Sequence, residues 1–253
     1  MSLGFVNLKI ENKIARIKFG TPNSNSLPGA ILEELAEKIK EAGNSVDANV
    51  IILESEGKGA FCAGASFDEL LEITDFEVGK KFFSGFAKVI NAMRTAPKFV
   101  IVRVHGKAVG GGVGLASAGD YTFAVAGADA KLSELALGIG PFVVGPAVER
   151  KIGKAAYSQM SIDFDWYAGD WCYQKGLYSH IFLTIEELDA SLEKLATKLA
   201  NNSPAAMADL KKVLWEGTEN WDKLLFERAE ISGRLVLSEF TKDYIKSFKA
   251  KGK

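Results

Sequence analysis

The chain has 253 residues, 47% hydrophobic and 25% charged, with 31 basic and 32 acidic side chains and a net charge of −1. That length suits one large α/β domain, or one domain with a helical appendage. The composition excludes disordered, collagenous and coiled-coil chains, and the charge balance supplies no field to hold a nucleic acid.

Phe5 to Ile10 alternates apolar and polar residues, Glu11 to Lys13 reads as a turn, and Ala15, Ile17 and Phe19 continue the period of two. This predicts a hairpin. Thr21 to Ser26 is a loop, and Pro28 suits the first turn of a helix. Leu32, Leu35 and Ile39 recur at helical spacing until Gly43. Val50 to Leu53 is an unbroken apolar run, as in a strand buried on both faces. A glycine-rich loop follows, from Glu56 to Gly64. Helices are expected over Phe67–Ile73 and Asp75–Thr95, the second ended by Pro97. Phe99–Val104 and Tyr121–Ala126 read as further buried strands. From Gly145 onward the strand signal fades, and Leu177–Leu183 is the last strand expected. Leu188–Ala200, Pro204–Glu216, Trp221–Leu237 and Phe240–Lys249 read as helices. Strands alternating with helices imply a parallel sheet, followed by a helical tail.

Two cysteines, Cys62 and Cys172, make no disulfide framework, and two histidines, His105 and His180, are too few for a His-rich metal site. No run of about 18 apolar residues reads as a membrane span. The first residues lack the basic-then-apolar pattern of a signal peptide. A cytoplasmic protein without a membrane partner is therefore expected. Trp215, Trp221, Phe226, Phe240, Tyr244 and Phe248 enrich the tail in aromatics, which fits ordinary core or a subunit interface.

Three segments carry chemistry. Lys107 to Asp120, KAVGGGVGLASAGD, stands between two expected strands. A glycine run there lets the backbone approach another group closely and exposes the free N–H groups of a first helical turn, which favour negative charge. The alternative is a tight turn with close helix–sheet packing. Gly59 to Leu70, GAFCAGASFDEL, is a second small-residue loop leading into a helix. Two such loops, each giving one N–H to the same oxygen, would form an oxyanion hole. Lys131 to Gly140, KLSELALGIG, places Glu134 among apolar neighbours. A desolvated carboxyl has a raised pKa suited to proton transfer near neutrality; the alternative is a surface glutamate opening a turn.

FCAGASFDEL, then HGKAVGGGVGLASAGDYTFA, then KLSELALGIG, together with AGDWCYQKGLYSHIF and the helical tail, resemble the crotonase family of enoyl-CoA hydratases and isomerases. The resemblance extends over nearly the whole chain. It implies an α/β crotonase-type spiral of ββα units, here residues 1–195, bearing the acyl-CoA site. Residues 196–253 would be a C-terminal helical region that mediates trimers or hexamers within the same functional unit. The implied substrate is an acyl-CoA thioester; coenzyme A is part of it, and no further cofactor or metal is expected. The implied oxyanion donors are the amides of Ala65 and Gly111. Hydratases of the family carry two glutamates; here one of those positions is Gly114 and the other is Glu134. Isomerases of the family keep only the second acid. The resemblance thus implies an enzyme with Glu134 as its one proton shuttle, a hydratase or a Δ3,Δ2-enoyl-CoA isomerase. A non-catalytic acyl-CoA-binding protein is the alternative of another class. Asp68, Glu69 and Glu72 are candidates for a second, water-orienting acid. Phe67, Leu70, Leu71, Phe86, Phe142 and Val143 are candidate walls, and Gly114 is expected to leave room beside them. Cys62 and Ala63 are expected at the adenine, and Lys249 and Lys251 are candidates for the phosphates; Trp166 and Trp171 fall in the stretch that lines the entrance or trimer contact in the family, with ordinary packing the default for both.

Overall fold

The expected hairpin is present. β1 (Phe5–Glu11) pairs antiparallel with β2 (Ile14–Gly20), Glu11 facing Ile14. Asn12 and Lys13 form the turn with φ of 51° and 63°, the left-handed pair that a two-residue hairpin needs to match strand twist. In this computed structural model residues 4–251 are described, with side chains through 247. Phe248, Lys249 and Lys251, singled out above, therefore lie outside the described side chains.

β2 continues into a parallel sheet with β3 (Val50–Ser55), β4 (Phe99–Val104), β6 (Tyr121–Val125) and β8 (His180–Phe182). The order is β1-β2-β3-β4-β6-β8. The unbroken apolar runs have the cause expected of them. Ile51, Leu53, Val100 and Val102 join one core cluster, while Val50, Ile52 and Ile101 join another on the opposite face. The first face is covered by α1 (Gly29–Asn44) and α3 (Phe76–Thr95). The second is covered by α7 (Ile185–Ala200), whose buried Leu188 and Leu192 are worth roughly 2 kcal/mol each against the sheet. The expected boundary after residue 195 falls inside α7.

A second ladder was not legible in the sequence. β5 (Ala108–Val109) and β7 (Ala130–Lys131) pair in parallel over two residues, too short for any periodicity. Nor was α5 (Gly145–Asp163) expected, although it is 19 residues long. Its buried face is Ala147, Val148, Ile152, Ala156 and Met160, mostly small side chains, and Gly153 breaks its helical geometry at φ 75°. The last strand is three residues long rather than the seven read from the sequence. α2 (Phe67–Glu72) and α3 begin at Ser66 and Asp75, whose side chains accept from Glu69 N and Val78 N; such caps contribute about 1 kcal/mol each.

α4 (Gly111–Ala118) and α6 (Gly169–Gln174) complete the core, and α8 (Pro204–Leu214), α9 (Trp221–Leu235) and α10 (Glu239–Lys251) form the tail. α8 is pinned by a buried charge. Lys211 Nζ lies 2.8 Å from Asp120 Oδ2 and donates to the carbonyls of Met93 and Lys98 at 2.7 and 2.8 Å. Asp120 also accepts from Trp215 Nε1 and Val100 N, each at 2.7 Å. α9 packs along α3, and α10 reaches the 3-10 turn Leu135–Leu137 and α2. Among the described residues no helix is long and apolar enough to cross a membrane.

Candidate active site

The two small-residue loops leave the carboxyl ends of β3 and β4, where open parallel sheets place their ligands. The first loop is anchored by Phe61 and Cys62, both fully buried. The Cys62 amide donates to Lys107 O at 3.4 Å and its carbonyl accepts from Val109 N at 2.9 Å, so the two loops are laced together. Ala63 N donates to Ser24 O at 3.1 Å. Leu27 then brackets Ala65: its amide donates to Gly64 O at 2.8 Å and its carbonyl accepts from Ser66 N at 3.2 Å. The Ala65 N–H points away from that ladder and has no partner among the described hydrogen bonds.

The second loop turns at Gly110, whose φ of 51° and ψ of −112° suit glycine alone. Its carbonyl accepts from Val113 N and Gly114 N, which starts α4. The Gly111 N–H is the first of that helix and is likewise without a partner among the described hydrogen bonds. The loops touch: a Cβ on Gly64 would lie 3.5 Å from Gly111 N and 2.9 Å from Val109 O. Ala65 and Gly111 line one cavity.

Glu134 reaches that cavity through the short ladder. Gly110 N donates to Lys131 O at 2.8 Å, which sets the end of β7 beside the second loop. A Cβ on Gly110 would stand 3.0 Å from Glu134 Oε1, so the carboxyl packs directly on the loop backbone. Glu134 Oε2 is buried without a partner. Burial raises the pKa of the carboxyl to about 7, against a smaller opposing pull from the amides of Glu134 and Ser133. The remaining walls are apolar. Phe67 and Leu70 come from α2, Phe83 and Phe86 from α3, and Phe142 and Val143 from the segment before α5. Phe86 lies so close to the second loop that a Cβ on Gly111 would meet its ring at 2.1 Å. Two free backbone donors beside one protonatable carboxyl, in an apolar cavity, can stabilise a developing oxyanion and move a proton.

A family profile described as "Enoyl-CoA hydratase/isomerase" matches residues 9–251. The chain belongs to this enzyme family. It is 29% identical over 256 residues to a short-chain-enoyl-CoA hydratase of Clostridium acetobutylicum, covering 100% of this chain and 97% of that one. It is 32% identical over 199 residues to a mitochondrial methylglutaconyl-CoA hydratase of Rattus norvegicus, covering 77% and 63% of the two chains. The crystal structure of an enoyl-CoA hydratase from Bacillus halodurans superposes with a TM-score of 0.89 at 21% identity, over 96% of this chain and 99% of that one. The α/β crotonase-type fold expected from the resemblance is thus the fold of the chain.

Within this hydratase/isomerase chain, the space expected beside Gly114 is filled. A Cβ there would lie 2.5 Å from Val144 Cγ1, and Gly114 does not line the cavity. A glutamate at 114 would have to displace Val144. Asp68, Glu69 and Glu72 do not line the cavity either; Glu69 Oε2 accepts from Gly29 N at 2.7 Å, at the start of α1. Ala63 lines the cavity, whereas Cys62 is fully buried and does not. Burial pushes the Cys62 thiol up to about 12, so no thiolate forms near neutrality. His105 is buried outside the cavity with neither ring nitrogen hydrogen-bonded, and burial lowers its pKa. Trp166 is exposed, with Lys107 Nζ 4.6 Å from its ring centre. Trp171 packs against Tyr167 with ring centres 4.2 Å apart and planes tilted by 47°.

Sequence reasoning missed Phe83, Ser133, Val144 and Ser232, which also line the cavity. Ser232 had a usable signal. It continues the buried stripe Trp221, Leu225, Ala229 of α9 as the one polar member.

Proposed function

We infer that the protein binds an enoyl-CoA thioester and uses Glu134 as its only acid–base group, and that Δ3,Δ2-enoyl-CoA isomerisation is the reaction it performs. The amides of Ala65 and Gly111 hold the thioester oxygen. The Glu134 carboxylate takes a proton from C2 of a 3-enoyl-CoA, and the electron pair moves onto that oxygen as a dienolate forms. Charge there is stabilised by fixed donors that need no reorganisation, roughly 3–4 kcal/mol per donor in comparable holes. The same carboxyl then returns its proton at C4, giving the conjugated 2-enoyl-CoA. No cofactor takes part, since coenzyme A belongs to the substrate. The observation that carries the reading is that Glu134 is the one acidic side chain lining the cavity among the described residues, its pKa raised by burial to about 7, with Val144 packed over Gly114 where a second acid would stand.

Hydration is the second reading, favoured by the hydratase names of the relatives. It needs a water held across from Glu134 by some other group. Incubation with a 3-enoyl-CoA and with crotonyl-CoA separates the two. Rising conjugated-thioester absorbance on the first is expected; falling absorbance on crotonyl-CoA alone would replace isomerisation by hydration. Binding without turnover of either would leave an acyl-CoA-binding protein. A homotrimer or homohexamer is the proposed assembly, supported by the exposed Leu210, Val213 and Leu214 on α8. Light scattering that returned a monomer would remove it.

A further inference from the structure

The acyl-CoA reading leaves the chemistry of the acyl chain unspecified, and one residue of the tail bears on it. Ser232 lines the same cavity as Glu134 although it comes from α9, and it is 1% exposed. Its hydroxyl is poorly satisfied. Ser84, Ser117 and Ser161 are also helical, and each donates to the carbonyl four residues earlier at 2.7 Å. The same contact from Ser232, to Arg228 O, is 3.5 Å, where a hydrogen bond has little strength left. A buried hydroxyl without a good partner is costly. The cost is met at a defined place. A Cβ on Gly233 would lie 2.6 Å from Lys80 N, and one on Gly79 would lie 3.0 Å from Gly233 O. α9 therefore crosses α3 backbone to backbone next to Ser232, and α3 is the helix that carries Phe83 and Phe86 into the cavity wall.

Ser133 and Glu134 are the other lining residues with polar side chains, and they are neighbours in one segment. Ser232 thus offers a hydrogen bond from a different element of the fold. Among the described residues no lining side chain is cationic, and the carboxyl of Glu134 shares the space, so a negatively charged chain end is disfavoured. We propose that Ser232 is a specificity-determining residue that hydrogen-bonds an uncharged oxygen group, a hydroxyl or a ketone, carried on the acyl chain of the thioester. The proposal rests on the acyl-CoA reading above but not on which proton transfer follows.

Binding tests it without turnover. Butyryl-, hexanoyl- and octanoyl-CoA and their ω-hydroxy counterparts are titrated by calorimetry into the wild-type protein and into Ser232→Ala. At one chain length or more, the hydroxyl should improve binding relative to the methyl by about three- to tenfold more in the wild type than in the variant. The plain thioesters should bind both proteins alike. Equal hydroxyl-to-methyl ratios in the two proteins at every length overturn the proposal. An equal weakening of both thioester series in the variant also overturns it, because that marks a packing residue. If no thioester binds the wild type, the acyl-CoA reading itself falls and this inference with it. If thioesters bind but no enoyl-CoA turns over, only the catalytic reading fails, and the ratios still decide the role of Ser232.

Discussion

Glu134→Gln is expected to lower turnover of the enoyl-CoA substrate by roughly 10²–10⁴-fold while leaving saturated acyl-CoA binding largely unchanged. The substitution keeps the shape of the side chain and removes its ability to carry a proton. The wild-type rate should rise with pH through about 7, because the carboxylate is the form that takes the proton. The same group predicts a stability change of the opposite kind. Its pKa is about 7 in the folded chain against an ordinary 4.5. Below the ordinary value both states are protonated and burial costs little. As pH rises from 4.5 to about 7 the unfolded chain ionises first, so stability falls, by about 3 kcal/mol in all. Glutamine does not ionise. The variant should therefore melt roughly 6–10 °C above the wild type near pH 8 and close to it near pH 4. Full activity in the variant would remove Glu134 from the mechanism. A variant that gains no stability at the higher pH would show that the carboxyl is not buried as described.

Lys211→Ala should cost about 3–5 kcal/mol of folding stability, readable in chemical denaturation. Lys211 is the cation of a pair whose side chains are 3% and 5% exposed. Its removal takes the ion-pair partner from the buried Asp120 carboxylate, which keeps the Trp215 Nε1 and Val100 N donors, and leaves the Met93 and Lys98 carbonyls without this donor. Burial lowers the pKa of Lys211 and the Asp120 charge opposes that shift. The ammonium is thus held in place by its partners rather than by solvent. Since the cost arises from a buried charge that has lost its closest cation, the paired change Lys211→Met with Asp120→Asn should recover most of it. A loss below about 1 kcal/mol for Lys211→Ala would place the pair with ordinary surface bridges. The pair also matters to the site. Asp120 follows the carboxyl end of α4, and the amino end of that helix carries Gly111.

Much of the frame was readable because its causes are local. The strands β3 and β4 announce themselves as apolar runs since both of their faces are covered. The hairpin at Asn12 and the stop before Pro97 rest on backbone preferences of single residues. Helix starts were less well placed. The sequence reading began α7 at Leu188, whereas Thr184 caps it in a reciprocal box with Glu187. α5 was missed because its buried face is largely alanine and valine, which small-residue packing against α4 makes meaningful only after folding.

The candidate site divides in the same way. The chain by itself determined that two loops of small residues would present bare backbone, and that one glutamate would stand among apolar neighbours, because those are properties of contiguous residues. Only the tertiary structure decided that Val144 closes the space over Gly114, that Glu134 packs against Gly110 with one oxygen unpartnered, and that Ser232 arrives from a helix nearly a hundred residues downstream. Those facts depend on distances between segments far apart in the chain. Such distances are fixed by the summed packing of the whole core, which no local pattern encodes.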